Sequence, residues 1–491
     1  MVQKASIKKN FVMNALLAMS NFAFPLISFP YISRVLLPVG TGKVQFATSV
    51  IAYFSMFAQL GIPAYGIRAC AKVRDNRKLL TKTAHELIII NLVMNIFAYL
   101  ILLIAMIYVP RLNEEKILIS IVSLTIFLTS IGMEWLYKAL EQYSYITYRS
   151  IIFKFIALMA MFLLVHSEQD YVIYGGISIF AASASNILNF LNAHKYIGFK
   201  PVGNYNIKKH LKPVAVFFAM ACATTVYTNL DNVMLGFMAT NTDVGYYGAA
   251  IKIKIILVSI VTSLGTVLLP RASYYVEQGN LDEFRRITRK AFSFVFTLAV
   301  PLTVYFVLFA HEGIMLLSGP AYAGAVVPMQ VIMPTLILIG MTNILGIQIL
   351  VPTGREKIVL YSEIAGAVVD VIINALLIPS MRSTGAAIGT LVAEFVVLLV
   401  QYHALRSEVR ETVLGIHYMN VLSGVLLAAC VSLIVKALKM GEFATLLISA
   451  VVFFGIYGGV LISRKEELVV DIYNQAIGKA KKVVWRFRKV K

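Results

Sequence analysis

Residues 87–109 read LIIINLVMNIFAYLILLIAMIYV, without a single Asp, Glu, Lys or Arg. A helix that crosses a bilayer needs about 20 consecutive apolar residues, and this block is long enough. Similar blocks recur along the whole chain. Of its 491 residues, 59% are hydrophobic and 14% charged, against about 25% charged in a soluble domain. The chain reads as an all-α polytopic membrane protein.

The apolar blocks predict about fourteen spans, near 9–33, 44–67, 83–109, 117–137, 150–166, 171–193, 213–237, 243–270, 291–317, 327–352, 358–379, 384–405, 417–436 and 442–462. A net charge of +20 raises nucleic acid as a partner, but the placement of that charge argues against it. With the N-terminus inside, only seven of the 44 Lys and Arg fall on outer loops: Arg34, Lys43, Arg111, Lys116, Arg382, Lys436 and Lys439. Lys252 and Lys254 lie deep within a span, and the rest occupy inner loops, tails or the inner ends of spans. This is the positive-inside pattern, and it puts both termini in the cytoplasm. The first apolar run outlasts the h-region of a signal peptide and no small-residue cleavage site follows it, so it counts as a span. Cys70, Cys222 and Cys430 have no pairing or metal spacing and read as small apolar fillers. The tail 464–491 alternates apolar and basic residues, as an amphipathic helix on anionic lipid would.

Matching residues recur at fixed separations. Gly42 and Gly245, Arg68 and Arg271, and Lys9 and Lys212 are each 203 apart. Tyr148 with Tyr361 and Gly176 with Gly389 are 213 apart. The ordered set predicts a duplicated bundle. Its N-terminal lobe is 1–200 (spans one to six) and its C-terminal lobe 201–407 (spans seven to twelve), with two added helices in 408–463. Two such lobes around a central cavity form a transporter architecture.

Charges within the bilayer cost about 2.5–3.5 kcal/mol each on insertion scales, so they face a bundle interior or water. Lys252 and Lys254 fall near the midplane. Arg34 lies at the outer end of span one, and Arg68 and Arg271 lie at the inner ends of spans two and eight. Together they form a ladder of cations that suits an anionic head group, since guanidinium binds phosphate with two hydrogen bonds. Span-end arginines also serve as topology anchors that reach to the interface. Asp231, Glu363, Asp370 and Glu394 place acids in the second half. Asp370 with Asn374, and Thr390 with Glu394, share helix faces at i, i+4. Such oxygen ligands would hold Na⁺ or relay a proton, or bond helix to helix. Pro25 and Pro30 are expected to bend span one.

The stretch 132–149, GMEWLYKALEQYSYITYR, sets Glu134, Lys138, Glu141 and Arg149 among one Trp and four Tyr, where an amphipathic inner rim is expected. No phosphate-binding Gly-rich loop, H-E-x-x-H, D-x-D or C-x-x-C occurs, and no cofactor is expected beyond a coupling Na⁺ or proton. Loops as short as the outer ones leave no room for the acids of a membrane-embedded glycan polymerase or transferase.

The segments SFPYISRVLLPVGTGKVQFATSVIAYF, LGIPAYGIRACAKVRDN, the stretch from Gly132, YTNLDNVMLGFM with VGYYGAAIKI, and TSLGTVLLPRASYY resemble polysaccharide-repeat flippases. These are the Wzx family of the multidrug/oligosaccharidyl-lipid/polysaccharide (MOP) superfamily, and the likeness covers spans one to twelve. It implies movement of an undecaprenyl-diphosphate-linked oligosaccharide between leaflets of the bacterial inner membrane, by alternating access around a cationic cavity. It also implies a polymerase and chain-length machinery as partners. The rim would then meet the substrate, with Glu134, Tyr137 and Lys138 beside the sugar and Arg149 and Lys154 on the diphosphate. Many members are drawn with twelve spans; the extra pair here resembles MurJ-type lipid II flippases. Those relatives place Na⁺ on spans seven, eleven and twelve, which here carry Asp231, Asn374 and Thr390, although the acid precedes the Asn in this chain. The rival readings are a MurJ-like lipid II flippase and a MATE-type exporter of organic cations, and the ladder would repel a cation.

Overall fold

A computed structural model describes residues 7–414, 418–438, 440–466 and 469–470. Nearly all of them are helical, and they form two compact units, Met1–Gly248 and Ala249–Lys491. The first contains α1 (Ile7–Gln59), α2 (Ile62–Ala71), α3 (Arg77–Tyr108), α4 (Pro110–Glu114), α5 (Lys116–Gly132), α6 (Glu134–Ala139), α7 (Tyr143–Leu164), α8 (Tyr171–Ile179), α9 (Ser185–Asn192) and α10 (Lys208–Met238). Helix α11 (Asn241–Glu277) starts in the first unit and continues into the second. There follow α12 (Leu281–Leu308), α13 (Ala310–Ser318), α14 (Val326–Ile332), α15 (Thr335–Thr342), α16 (Glu356–Leu414), α17 (Tyr418–Ala437) and α18 (Glu442–Ser463).

Among the described residues eleven helices are long and apolar enough to cross a membrane, or twelve if the bent pair Pro320–Ile332 and Thr335–Leu350 is one span. Two of these helices double back on themselves. In α1 the break is Leu37 (φ 56°). It precedes Pro38, whose ring pushes the residue before it out of the α region. The first limb of α1 runs beside α7, with Thr147 Oγ1 donating to the Met13 carbonyl (2.9 Å) and Tyr31 Oη to that of Val165 (2.8 Å). The second limb runs antiparallel to α10, setting Phe46 against Phe237 and Phe57 against Phe218. Beyond it, Gly66 packs on Trp135, whose neighbour Glu134 pairs with Arg149 near Thr147. Both limbs therefore end at one end of the unit, with Leu37 at the other. The backbone stays helical through Pro25 and Pro30, and the non-helical residue is Leu37.

Helix α16 is a hairpin that turns at Arg382 (φ 52°). Its register is constant: Asn374 meets Gly389, Gly366 meets Val397, Gln401 Nε2 donates to Ser362 Oγ (2.9 Å), and Arg355 forks onto Glu408 (2.7 and 2.8 Å). Counting the limbs of α1 and α16 separately brings the twelve to fourteen.

Two expected spans are interrupted. Left-handed Leu60 and Gly61 separate α1 from α2, and left-handed Met133 separates α5 from α6. At Gly61 any Cβ would collide with the backbone of Phe217 and Phe218. The short helices α2 and α6 bury Ile62, Trp135 and Leu136 with Leu80 and Leu87 of α3. In the second unit, α17 and α18 dock on α12 through Tyr305, Phe453 and Tyr457. The Tyr457 hydroxyl donates to the Thr297 carbonyl (2.7 Å), and Lys436 pairs with Glu312 of α13 (3.1 Å). Most of the basic tail lies outside the described residues.

Candidate functional site

The aromatic and charged stretch from Gly132 is mostly core. Trp135 and Tyr137 are buried, and the Tyr137 hydroxyl donates to the Asn189 carbonyl (2.5 Å) while its ring stacks on Tyr145 (centroids 5.3 Å). Tyr137 is therefore corrected from a sugar-contacting to a packing residue, since both its face and its hydroxyl are taken. Arg149, 5% exposed, donates to Ser185 Oγ (2.6 Å), Asn186 Oδ1 (3.2 Å) and Glu134 Oε2 (3.1 Å). The other oxygen of Glu134 holds Lys138 (2.9 Å). Gly132 makes room for this tie, because a Cβ there would strike the Asn186 side chain. Arg149 joins α6, α7 and α9 and is not turned outward for a ligand. Lys154 donates instead to Ser20 and Asn21 of α1. In the loop nearby, the hydrogen bond to Glu141 (2.7 Å) holds the exposed Arg74 guanidinium above its ordinary pKa.

A cavity of about 620 Å³ opens within the first unit, walled by α1, α2, α5, the α8–α9 turn and α10. That volume lies in the range of small-molecule sites. Its polar wall is a row on α1 (Thr48, Ser55, Gln59) facing a row on α10 (Thr224, Thr225, Asn229), with Thr125 of α5 beside them. Among the described residues no Asp, Glu, Lys, Arg or His lines it. The expected cations thus do not meet here: Arg34, Arg68 and Arg271 are exposed, and Lys252 and Lys254 are half-buried on α11. The neutral rows escaped the sequence reading because it looked for charge. Their signal was available as hydroxyls and amides at positions 48, 55 and 59, one helix face.

At the Leu37 end a seam joins α1 to the α10–α11 turn. A Cβ on Gly42 would run into the backbone of Asn241 and Gly245, and one on Gly245 into the backbone of Pro38. The two glycines of the 203-residue repeat therefore pack against each other. Arg111 of α4 staples the seam, donating to the Gly236 carbonyl (2.9 Å) and Asn241 Oδ1 (2.6 Å). Lys43 pairs with the nearly buried Glu115 (2.6 Å).

Within α16, Asp370, Asn374, Thr390 and Glu394 are all buried. Asn374 Nδ2 donates to Asp370 Oδ1 (3.2 Å), and both crowd against Gly389, whose missing side chain admits them. Thr390 donates to the Ala386 carbonyl (3.2 Å). Asp231, in the first unit, accepts from Tyr247. No group of three or more His, Cys, Asp or Glu that could hold a metal ion occurs among the described residues.

A family model described as polysaccharide biosynthesis protein matches residues 7–276, more than half the chain. The chain belongs to the polysaccharide biosynthesis protein family. A model described as MatE matches residues 216–376. The "Putative O-antigen transporter" of Escherichia coli (strain K12) is 24% identical over 396 residues, which is 80% of this chain and 95% of that protein. A protein of the same name from Shigella dysenteriae is 22% identical, covering 81% of this chain and all of that protein. Among solved structures, lipid II flippase MurJ in an inward closed conformation matches with a TM-score of 0.66 at 14% identity, over 89% of this chain and 98% of that one. The fold is the all-α MOP fold. The family member described here is a multi-pass membrane flippase, a transporter and not an enzyme.

Proposed function

We propose that the protein moves an undecaprenyl-diphosphate-linked oligosaccharide repeat unit from the inner to the outer leaflet of a bacterial inner membrane. Both termini would be cytoplasmic, and two pseudo-symmetric lobes would alternate access to the two faces. The observation that carries this reading is an uncharged cavity, mostly apolar but with facing rows of hydroxyls and amides, inside a membrane-spanning helical unit. A lipid-linked sugar needs such a route, because its hydroxyls cannot cross hydrocarbon unpaired. The O-antigen names of the relatives support it. The absence of any carboxylate from the cavity wall weighs against an organic-cation substrate. On this reading the seam at Leu37 is the outer gate, and Arg34, Arg68, Lys252, Lys254 and Arg271 guide the diphosphate. A polymerase and chain-length machinery would receive the product.

Flipping in proteoliposomes tests the proposal. Arg34→Ala and Arg271→Ala are expected to insert normally yet lose most flipping, with Lys restoring part of it because a point charge loses the two-pronged geometry. Full activity in both Ala variants would remove the cation path. Asp231 of α10 and Asp370, Asn374, Thr390 and Glu394 of α16 would couple flipping to Na⁺ or protons. Asp370→Asn is then expected to abolish gradient dependence while substrate binding persists; flipping indifferent to both gradients in the wild type refutes coupling. Lipid II is the second reading, favoured by the MurJ likeness, which shows the fold. Mass spectrometry of the lipid-linked saccharide that accumulates on depletion separates the two.

A further inference from the structure

Part of the hydrogen-bonding capacity of the cavity wall is committed within its own helices. Thr48 Oγ1 donates to the Val44 carbonyl (2.7 Å) and Thr224 Oγ1 to that of Met220 (3.2 Å), the usual habit of hydroxyls within membrane helices. Gln59 Nε2 donates to Ser55 Oγ (2.7 Å). Asn229 Nδ2 donates to the Thr225 carbonyl (3.2 Å) and to Thr228 Oγ1 (3.0 Å). What remains to face the cavity is mixed: lone pairs of the hydroxyls and carboxamides as acceptors, and the hydroxyls of Ser55, Thr225 and Thr125 with one Gln59 N–H as donors. The buried Thr125 hydroxyl has no hydrogen-bond partner among the described residues.

A wall of hydroxyls and amides with no charged group among the described residues discriminates between ligands. Phosphate and carboxylate bring a charge that nothing here neutralises. Sugar hydroxyls are uncharged and both donate and accept, as the wall does. The shape agrees, since Thr48 to Gln59 spans about 16 Å of helix, so the wall is a trough suited to a chain of rings more than to one compact head group. Phe217, Met220 and Ile51 supply the apolar remainder that the faces of pyranose rings need.

We infer that this trough is a subsite for the uncharged, hydroxyl-bearing sugars of the transported lipid, and that it selects against anionic sugars. The inference rests on the function proposed above and assigns the sugar to the first unit, in a cavity whose described lining includes none of the cations proposed to hold the diphosphate.

The test uses the full chain in nanodiscs and three probes with the same short isoprenyl diphosphate. One carries a neutral trihexose, one the same trisaccharide with a hexuronate in place of one hexose, and one no sugar. The wild type is expected to bind the neutral probe about tenfold more tightly than either of the others. Thr125→Val and Ser55→Ala, at unchanged melting temperature, are expected to weaken neutral-probe binding about three- to tenfold, the worth of one hydrogen bond. Binding of the bare diphosphate should not move. Equal wild-type binding of all three probes overturns the subsite and leaves the flippase reading intact, and this comparison stands even if a variant fails to fold. Equal weakening of all three by the variants also overturns it, since the trough would then hold the isoprenyl tail. A wild type that binds none of them overturns the function reading and the subsite with it.

Discussion

Glu134→Ala should lower the stability of the detergent-solubilised protein by about 1–2 kcal/mol, because it strands the buried Arg149, a cost reduced by the 38% exposure of the carboxylate itself. Arg149 would keep only Ser185 and Asn186, neutral groups, around a guanidinium that is 5% exposed. Lys138→Ala removes the other ion pair of the same carboxylate, but at a side chain 35% exposed. An exposed helix pair of this kind contributes about 0.5 kcal/mol. The expected pattern in thermal unfolding is therefore a large downward shift for Glu134→Ala, an intermediate one for Glu134→Gln, and almost none for Lys138→Ala. A Glu134→Ala protein that melts with the wild type would return Arg149 to the list of groups open to substrate.

The second large effect is expected at the seam. Gly42→Val drives a branched side chain into the Asn241 and Gly245 backbone, which cannot swing away as a long side chain would. Overpacking of this kind costs about 1–3 kcal/mol or more. The cost should fall on whichever state closes the seam, so flipping should drop at least about tenfold while the protein still inserts. Gly245→Val should behave alike, for it strikes Pro38 from the facing side. Gly248→Ala is the control, since its Cβ would only touch Gln45 at 3.8 Å. Normal flipping by both Val variants would show that the close packing of the two glycines has no part in the cycle.

Much of the candidate site was legible as residue type, and little of it as place. The acids Asp370 and Glu394 and the amide Asn374 were singled out by their depth and i, i+4 spacing, and they are buried within one hairpin. Gly42 and Gly245 were paired by their separation alone, and they touch. Tyr137 was misassigned because an aromatic near a span end has the same composition whether it faces lipid, sugar or another helix. The trough was missed because Thr, Ser and Gln within an apolar helix have no charge to announce them.

By itself the sequence determined the solvent and the all-α class. Long uncharged runs follow from transfer free energies that act residue by residue, so they are readable without coordinates. Tertiary structure alone decided which polar groups share a space. Leu37 and Arg382 reverse two long helices and Met133 turns the chain out of α5, and these reversals bring α1 beside α10, Arg149 beside Glu134 and Asn374 beside Gly389. Such contacts depend on which limbs pack together, a choice made by close fit among buried side chains, and neither composition nor spacing records it.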